Sequence, residues 1–226
     1  MRSLRALVIL TVIASPAIAS GRNAETERLR DAEAVIKAAV TAPDQGIPKE
    51  LLGRAECIGV FPEVKKAAFV VGGEFGRGVF TCRQKDGTMG SPAYFTIGGG
   101  SLGWQIGGEE TDLVLLVMNE DGMHHLLADR FALGAEATAA AGPVGRTTQA
   151  STDAMMQAQI LSWSRSRGLF VGASLKGTVI KPDAKASLGF YGRTVSPREI
   201  LVEHSVQVPK AAQSFVTTAT TCSRRS

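Results

Sequence analysis

Residues 95–108 read FTIGGGSLGWQIGG, and the way this glycine-rich stretch folds decides the class of protein. Gly98, Gly100 and Gly103 fit the G-x-G-x-x-G spacing of a phosphate-binding loop. Gly99, Ser101 and Gly103 fit the G-x-S-x-G spacing of a hydrolase nucleophile elbow. Both motifs need a strand that runs into a turn and then opens a helix. Here Leu102, Trp104 and Ile106 alternate with Gly103, Gln105 and Gly107, which is the period of a strand. The added glycines would each cost a helix about 1 kcal/mol. The stretch is therefore expected to form two sheet segments with a turn among Gly98, Gly99 and Gly100, and no dinucleotide loop. Ser101, Asp112 and His124 do follow one another in the Ser-Asp-His order of a hydrolase, so a serine hydrolase built on Ser101 stands as a rival reading.

Glycines at this density flatten one face of a strand, so that a helix, a second sheet or an acyl chain can approach the backbone. The same habit recurs in VVGGEFGRG, LFVGASLKG and SLGFYG. Strand-like runs follow one another from Cys57: CIGVF, AAFVVGG, GVFTC, AYFTIGG, SLGWQIG and DLVLLVM, separated by turns such as PEVKK and KDGT. ILSWS and LFVGASL (160–175) form a predicted hairpin. Helical spacing appears at 25–40, where Leu29, Ala32, Ile36, Ala39 and Val40 make one stripe. Shorter helices are expected from Ile47-Pro48 to Ala55, over MHHLLADRF (123–131), at Pro197–Leu201 and near 210–216. No βαβ alternation appears. The expected class is α+β, with a largely antiparallel glycine-rich sheet or barrel-like sheet, an N-terminal amphipathic helix and a few short helices.

The start of the chain has the pattern of a secretory signal peptide: Arg2 and Arg5, the apolar run LVILTVIA (7–14), then Ala17 and Ala19 as small residues before a cut. On that reading residues 1–19 are removed, 20–216 form a single domain and 217–226 a polar tail, and the protein is periplasmic or secreted. The remaining chain of roughly 205 residues is long enough to bury a sizeable core. The 44% hydrophobic and 20% charged content of the full sequence is that of a globular protein. The 25 basic and 21 acidic residues nearly balance, and no basic stripe with interleaved aromatics is visible, so no nucleic-acid partner is expected. Of the three cysteines, Cys57 and Cys82 lie in neighbouring strand runs and are either disulfide-bonded or two buried thiols, with Cys222 the odd one out. No metal-ligand spacing exists among the cysteines and the three histidines, so no metal or cofactor is expected.

SWSRSRGLFVGASLKG (162–177) resembles the signature of the SYLF lipid-binding domain family, S-Y-S-[RK]-S-[RK]-G-L-F-A-G-[VI]-S-L-E-G. Ser91-Pro92-Ala93 with Gly103–Gly107 and Thr111–Val114, Leu133–Glu136 leading to Gly142–Arg146, and Phe190-Tyr191-Gly192 with Ile200-Leu201 extend the resemblance over nearly the whole chain. Trp163 stands where the pattern has tyrosine, and Lys176 where it has glutamate. The resemblance implies binding to membrane lipid and no catalytic centre. Some eukaryotic members bind actin, which an exported protein would not meet. The resulting expectation is a non-catalytic, exported protein that binds anionic phospholipid or a membrane surface, with Arg28, Arg30, Lys37, Lys65 and Lys66 contacting head groups. A structural or partner-binding envelope protein is the second rival.

Overall fold

The central strands carry apolar residues on both faces, so the sheet has to be covered on both sides. The computed structural model describes residues 16–42, 46–68, 72–101, 107–144, 158–166 and 168–224. Its sheet contains β1 (Cys57–Ala68), β2 (Gly72–Cys82), β3 (Ala93–Ser101), β4 (Gly107–Val117), β5 (Phe131–Ala132), β6 (Ala139–Ala141), β7 (Ile160–Ser166), β8 (Leu169–Gly172) and β9 (Val179–Pro182). The order is β5-β9-β3-β2-β1-β4-β7-β6, with β8 also paired to β7. Every pairing is antiparallel except β6 with β7. The sheet curls into a half-barrel, as the expected α+β class requires. One face buries Phe61, Phe80, Phe95, Ile97, Leu113 and Leu115 within the curl. The other buries Ile58, Val60, Val79, Val114, Leu116 and Trp163 beneath a layer of helices.

That layer is led by α1 (Pro16–Thr41). Leu29, Ala32, Val35, Ile36 and Ala39 recur every three or four residues and are all at most 3% exposed, so the helix lies where its stripe meets the sheet. The shorter helices are α2 (Lys49–Arg54), α3 (Glu120–Leu126), α4 (Ala184–Tyr191), α5 (Pro197–Leu201) and α6 (Gln213–Cys222). The hairpin expected over 160–175 is β7–β8, and Pro197–Leu201 is the helix α5.

Several expectations need correction. PEVKK is not a turn: β1 runs through it, absorbing the irregularity as a bulge between Val60 and Lys65, with Glu63 at a φ of 50°. The glycines Gly98, Gly99 and Gly100 do not turn either. They pair in register with Phe75, Glu74 and Gly73, because an antiparallel partner satisfies their backbone groups as well as a turn would. Leu102, Trp104 and Ile106, whose alternation supported the sheet reading, lie outside the described residues. SLGFYG is helical, not a strand. The Asp183 side chain accepts the Ala186 N–H at 3.0 Å, and Gly192, at a φ of 70°, ends α4 in the left-handed conformation. The helix expected over 123–131 begins earlier, at an Asn119 cap, and Phe131 belongs to β5. Residues 217–222, expected in a polar tail, are the second half of α6, with Ala219 0% exposed and its C-cap Ser223 0% exposed as well.

Cys57 and Cys82 stand directly opposite each other on β1 and β2 and are joined as a disulfide. Where the C-terminal end of β6 meets β7, the Trp163 indole lies against Gly142 and donates to the Pro143 carbonyl at 2.9 Å. A Cβ at Gly142 would fall inside that ring. Gly142→Val is therefore expected to cost roughly 1–3 kcal/mol of overpacking, read as a fall of several degrees in Tm.

Candidate functional site

The five cations expected to meet head groups divide between the inside and the outside of the fold. Arg28 is on the buried side of α1, one turn before Ala32. It is 9% exposed, pairs with Glu25 at 3.0 Å and Asp183 at 3.8 Å, and lies 5.4 Å from the Tyr94 ring centroid. Burial lowers the Arg28 pKa and raises that of Glu25, in each case opposed by the partner's charge. The Tyr94 hydroxyl donates to the Glu25 carbonyl at 3.2 Å. Arg28 thus ties α1 to β3 and to the cap of α4, and its place inside the fold corrects its reading as an outward-facing head-group contact. A charge beside the apolar stripe looks the same in sequence whether it faces water or a buried carboxylate.

The other four stand outside. Arg30 is exposed between Glu27 and Asp31, so the outward face of α1 alternates in sign rather than forming a basic edge. Lys37 is exposed but reaches Glu33 at 2.6 Å. Glu33 also accepts hydrogen bonds from Ser214 at 2.9 Å and Thr218 at 3.0 Å, which joins α1 to α6. Burial works to raise the Glu33 pKa, but these hydrogen bonds outweigh it and hold the carboxyl below its usual value of 4.5. Lys65 is exposed on β1 and 3.5 Å from Glu110. Lys66 is half-buried on the opposite face of the sheet, beside Glu74 in register.

Ser101, Asp112 and His124 do not form a triad. Ser101 is the last residue of β3, in the row of Gly72, Ala68 and Gly107. His124 follows the far end of β4, on the order of 30 Å away along the strand. Asp112 is engaged elsewhere: it accepts from Arg165 at 2.7 Å and from the Glu63 N–H at 3.0 Å. Among the described residues no group of His, Cys, Asp and Glu side chains is placed to hold a metal ion, and no helix is long and apolar enough to cross a membrane.

Sequence reasoning missed the apolar side chains that stay outside. Leu169 is 56% exposed, Val171 52% and Phe75 52%. In LFVG the central Phe170 is buried and packs against Arg165, so its neighbours must point away from that face. The alternation carries this information, but Leu169, Phe170 and Val171 are all apolar, so the sequence does not mark which face stays outside.

Fold and surface together define an α+β domain whose curled antiparallel sheet is clamped by helices and carries apolar and cationic side chains outward. Residues 98–222 match the family described as "Ysc84: Las17-binding protein actin regulator". The chain belongs to this Ysc84/SYLF family. It is 34% identical over 180 residues to "Protein YSC84" of Saccharomyces cerevisiae, covering 78% of this chain and 38% of that protein. It is 33% identical over 165 residues to the yeast "LAS seventeen-binding protein 3", covering 72% and 36%. It is 32% identical over 174 residues to "SH3 domain-containing YSC84-like protein 1" of Mus musculus, covering 76% and 50%. The chain thus spans at most half the length of these relatives.

These comparisons correct the expected location. The relatives are yeast and mammalian proteins, and the family that this chain shares with them is described as an actin regulator, which is at odds with a periplasmic or secreted protein. Ala17 and Ala19, taken as a processing site, lie within helix α1. Small residues after an apolar run describe a helix start as well as a cleavage site. The periplasmic or secreted reading is withdrawn, and with it the ground for excluding actin.

Two measurements check the roles of the α1 charges. Arg28→Ala should cost about 3–5 kcal/mol in urea unfolding because it strands buried carboxylates, while Arg30→Ala should stay within about 0.5 kcal/mol. Glu33, with its pKa held below 4.5, contributes stability that is present above that pH and lost as pH falls through its folded value. Glu33→Gln should flatten that part of the acid limb.

Proposed function

We propose that this domain binds anionic phospholipid at a membrane surface and catalyses no reaction. The observation that carries this reading is the surface of the motif hairpin β7–β8. Leu169 and Val171 stay more than half exposed on either side of the buried Phe170, in the segment that bears the family signature. Exposed apolar side chains gain by entering the interfacial zone of a bilayer, at roughly 25 cal/mol per Å² of apolar surface removed from water. Arg30, Lys37 and Lys65 are exposed cations available to head groups, while Lys66 is half-buried on the other sheet face. Each contributes about 1 kcal/mol near an anionic surface, screened by salt. Arg28 has no part in it, since its charge is spent on Glu25 and Asp183. The separation of Ser101 from His124 supports the absence of hydrolase chemistry.

A second reading, a module that binds a protein of an actin-regulating assembly, is favoured by the descriptions of the family and of the yeast relatives. Co-sedimentation with filamentous actin at physiological salt tests it.

Vesicle co-sedimentation tests the first reading. Binding should be stronger to vesicles containing phosphatidylserine than to phosphatidylcholine alone, and should fall as salt rises. Neutralising Arg30, Lys37, Lys65 and Lys66 together with glutamine should weaken it by at least tenfold, with thermal melting used to show that the variant is folded. Binding indifferent to lipid charge and to salt would reject the reading.

A further inference from the structure

The helix layer does not cover the whole of its sheet face. Beyond the buried Val79 and Tyr94, the next cross-strand row on that face is Arg77 on β2, Thr96 on β3 and Lys181 on β9. The row after it is Lys65 on β1, Phe75 on β2, Gly98 on β3 and Val179 on β9. Arg77, Lys181, Lys65 and Phe75 are all exposed. Adjacent strands lie about 4.8 Å apart, so the guanidinium, the hydroxyl and the ammonium of the first row converge on a strip about 10 Å wide.

Three features of this strip are not explained by packing. First, Arg77 and Lys181 form no ion pair among the described residues. The nearby carboxylates Glu25 and Asp183 are both held by Arg28, and Arg77 acts on Glu25 only from beyond ion-pair distance. Second, the Thr96 hydroxyl oxygen between them is buried and has no hydrogen-bond partner among the described residues. A buried hydroxyl left unpaired costs about 1–3 kcal/mol, and a ligand oxygen drawn in as the flanking Arg77 and Lys181 side chains swing onto it would restore the bond. Third, Phe75 stands bare because its cross-strand neighbour is Gly98, where an added Cβ would meet only the Glu74 carbonyl, at 3.5 Å. The Arg77 guanidinium lies 5.9 Å from the Phe75 ring centroid, a cation held over the one large apolar group of the strip.

We infer that Arg77, Thr96 and Lys181 form a binding site for the phosphate of an anionic membrane phospholipid, with Phe75 entering the interfacial layer beside it. Guanidinium and ammonium supply two charges to one phosphate, and the hydroxyl donates a third bond to it. Phe75 and the stem of Lys65 face the glycerol and upper acyl carbons while the charged heads stay with the phosphates. Lys65 is partly answered by Glu110 at 3.5 Å, but that pair is largely exposed and yields readily to a phosphate in its place. The inference rests on the phospholipid reading proposed above and gives it a defined site, away from the outward face of α1.

The experiment compares wild type, Arg77→Glu/Lys181→Glu, Phe75→Ser, Phe75→Trp and Arg30→Glu/Lys37→Glu on vesicles of phosphatidylcholine with and without phosphatidic acid. Thermal melting confirms that each variant is folded, as expected for exposed positions. Arg77→Glu/Lys181→Glu should lose at least tenfold in affinity for the acidic vesicles, and Phe75→Ser about fivefold. Phe75→Trp should show a blue-shifted emission on vesicle addition, measured against wild type to subtract the native tryptophans. Thr96→Val should weaken binding severalfold, whereas Thr96→Ser retains it. If wild type binds acidic vesicles and the Arg77, Lys181 and Phe75 variants bind equally well, this site is wrong and the broader reading stands. If wild type ignores vesicles of both compositions, both are wrong. If inorganic phosphate shifts the Arg77 and Thr96 NMR signals while vesicles do not, the site serves a soluble phosphate and the membrane assignment falls.

Discussion

The buried contact of Arg28 with Glu25, Asp183 and Tyr94 sets where α1 lies, and much of the molecule follows from that. The apolar stripe of α1 could slide along the sheet at modest cost, since hydrophobic contact is not directional. A guanidinium held between two carboxylates and a ring cannot, because any shift leaves a buried charge without its partner. The second tie, from Glu33 to Ser214 and Thr218, brings α6 against the same helix. The helix layer is therefore pinned to β3 and α4 through Arg28, and to α6 through Glu33 five residues further along α1.

Pinning the layer there leaves the sheet rows of Phe75 and Arg77 uncovered. The same rows adjoin the glycines of β3, which pair with β2 through their backbone but offer no side chain to shield a neighbour. Glycine thus has two uses in this fold. At Gly59, Gly78 and Gly142 a missing side chain makes room for Phe80, Phe61 and Trp163. At Gly98 it makes an aromatic ring accessible. The first use builds the core, and the second exposes a surface at the edge of the helix layer.

Membership of the Ysc84/SYLF family joins this domain to longer proteins described by Las17 binding, SH3 domains and actin regulation. What they share with this chain is sequence similarity over 165 to 180 residues. Its curled core has no catalytic constellation among Ser101, Asp112 and His124, and its outer surface holds the cations and exposed apolar groups on which a binding role depends.

Periodicity made the strands, the hairpin at 160–175 and the stripe of α1 legible, because a helix or strand facing a core must repeat its apolar residues at its own period. The signature at 162–177 made the family legible. Capping residues could also have shown α4, since Asp183 and Gly192 bracket it, but the glycine within SLGFYG drew that segment toward a strand. Other features depend on residues far apart in the chain. Whether Gly98–Gly100 turn or pair depends on β2 being beside them. Whether Arg28 meets water or Asp183 depends on α4, more than 150 residues later. The conjunction of Arg77, Thr96 and Lys181 exists only through the register of β2, β3 and β9. Local spacing determines which face of an element is apolar, while the partners of a charge, or the bareness of a ring, are decided only when distant strands come into register.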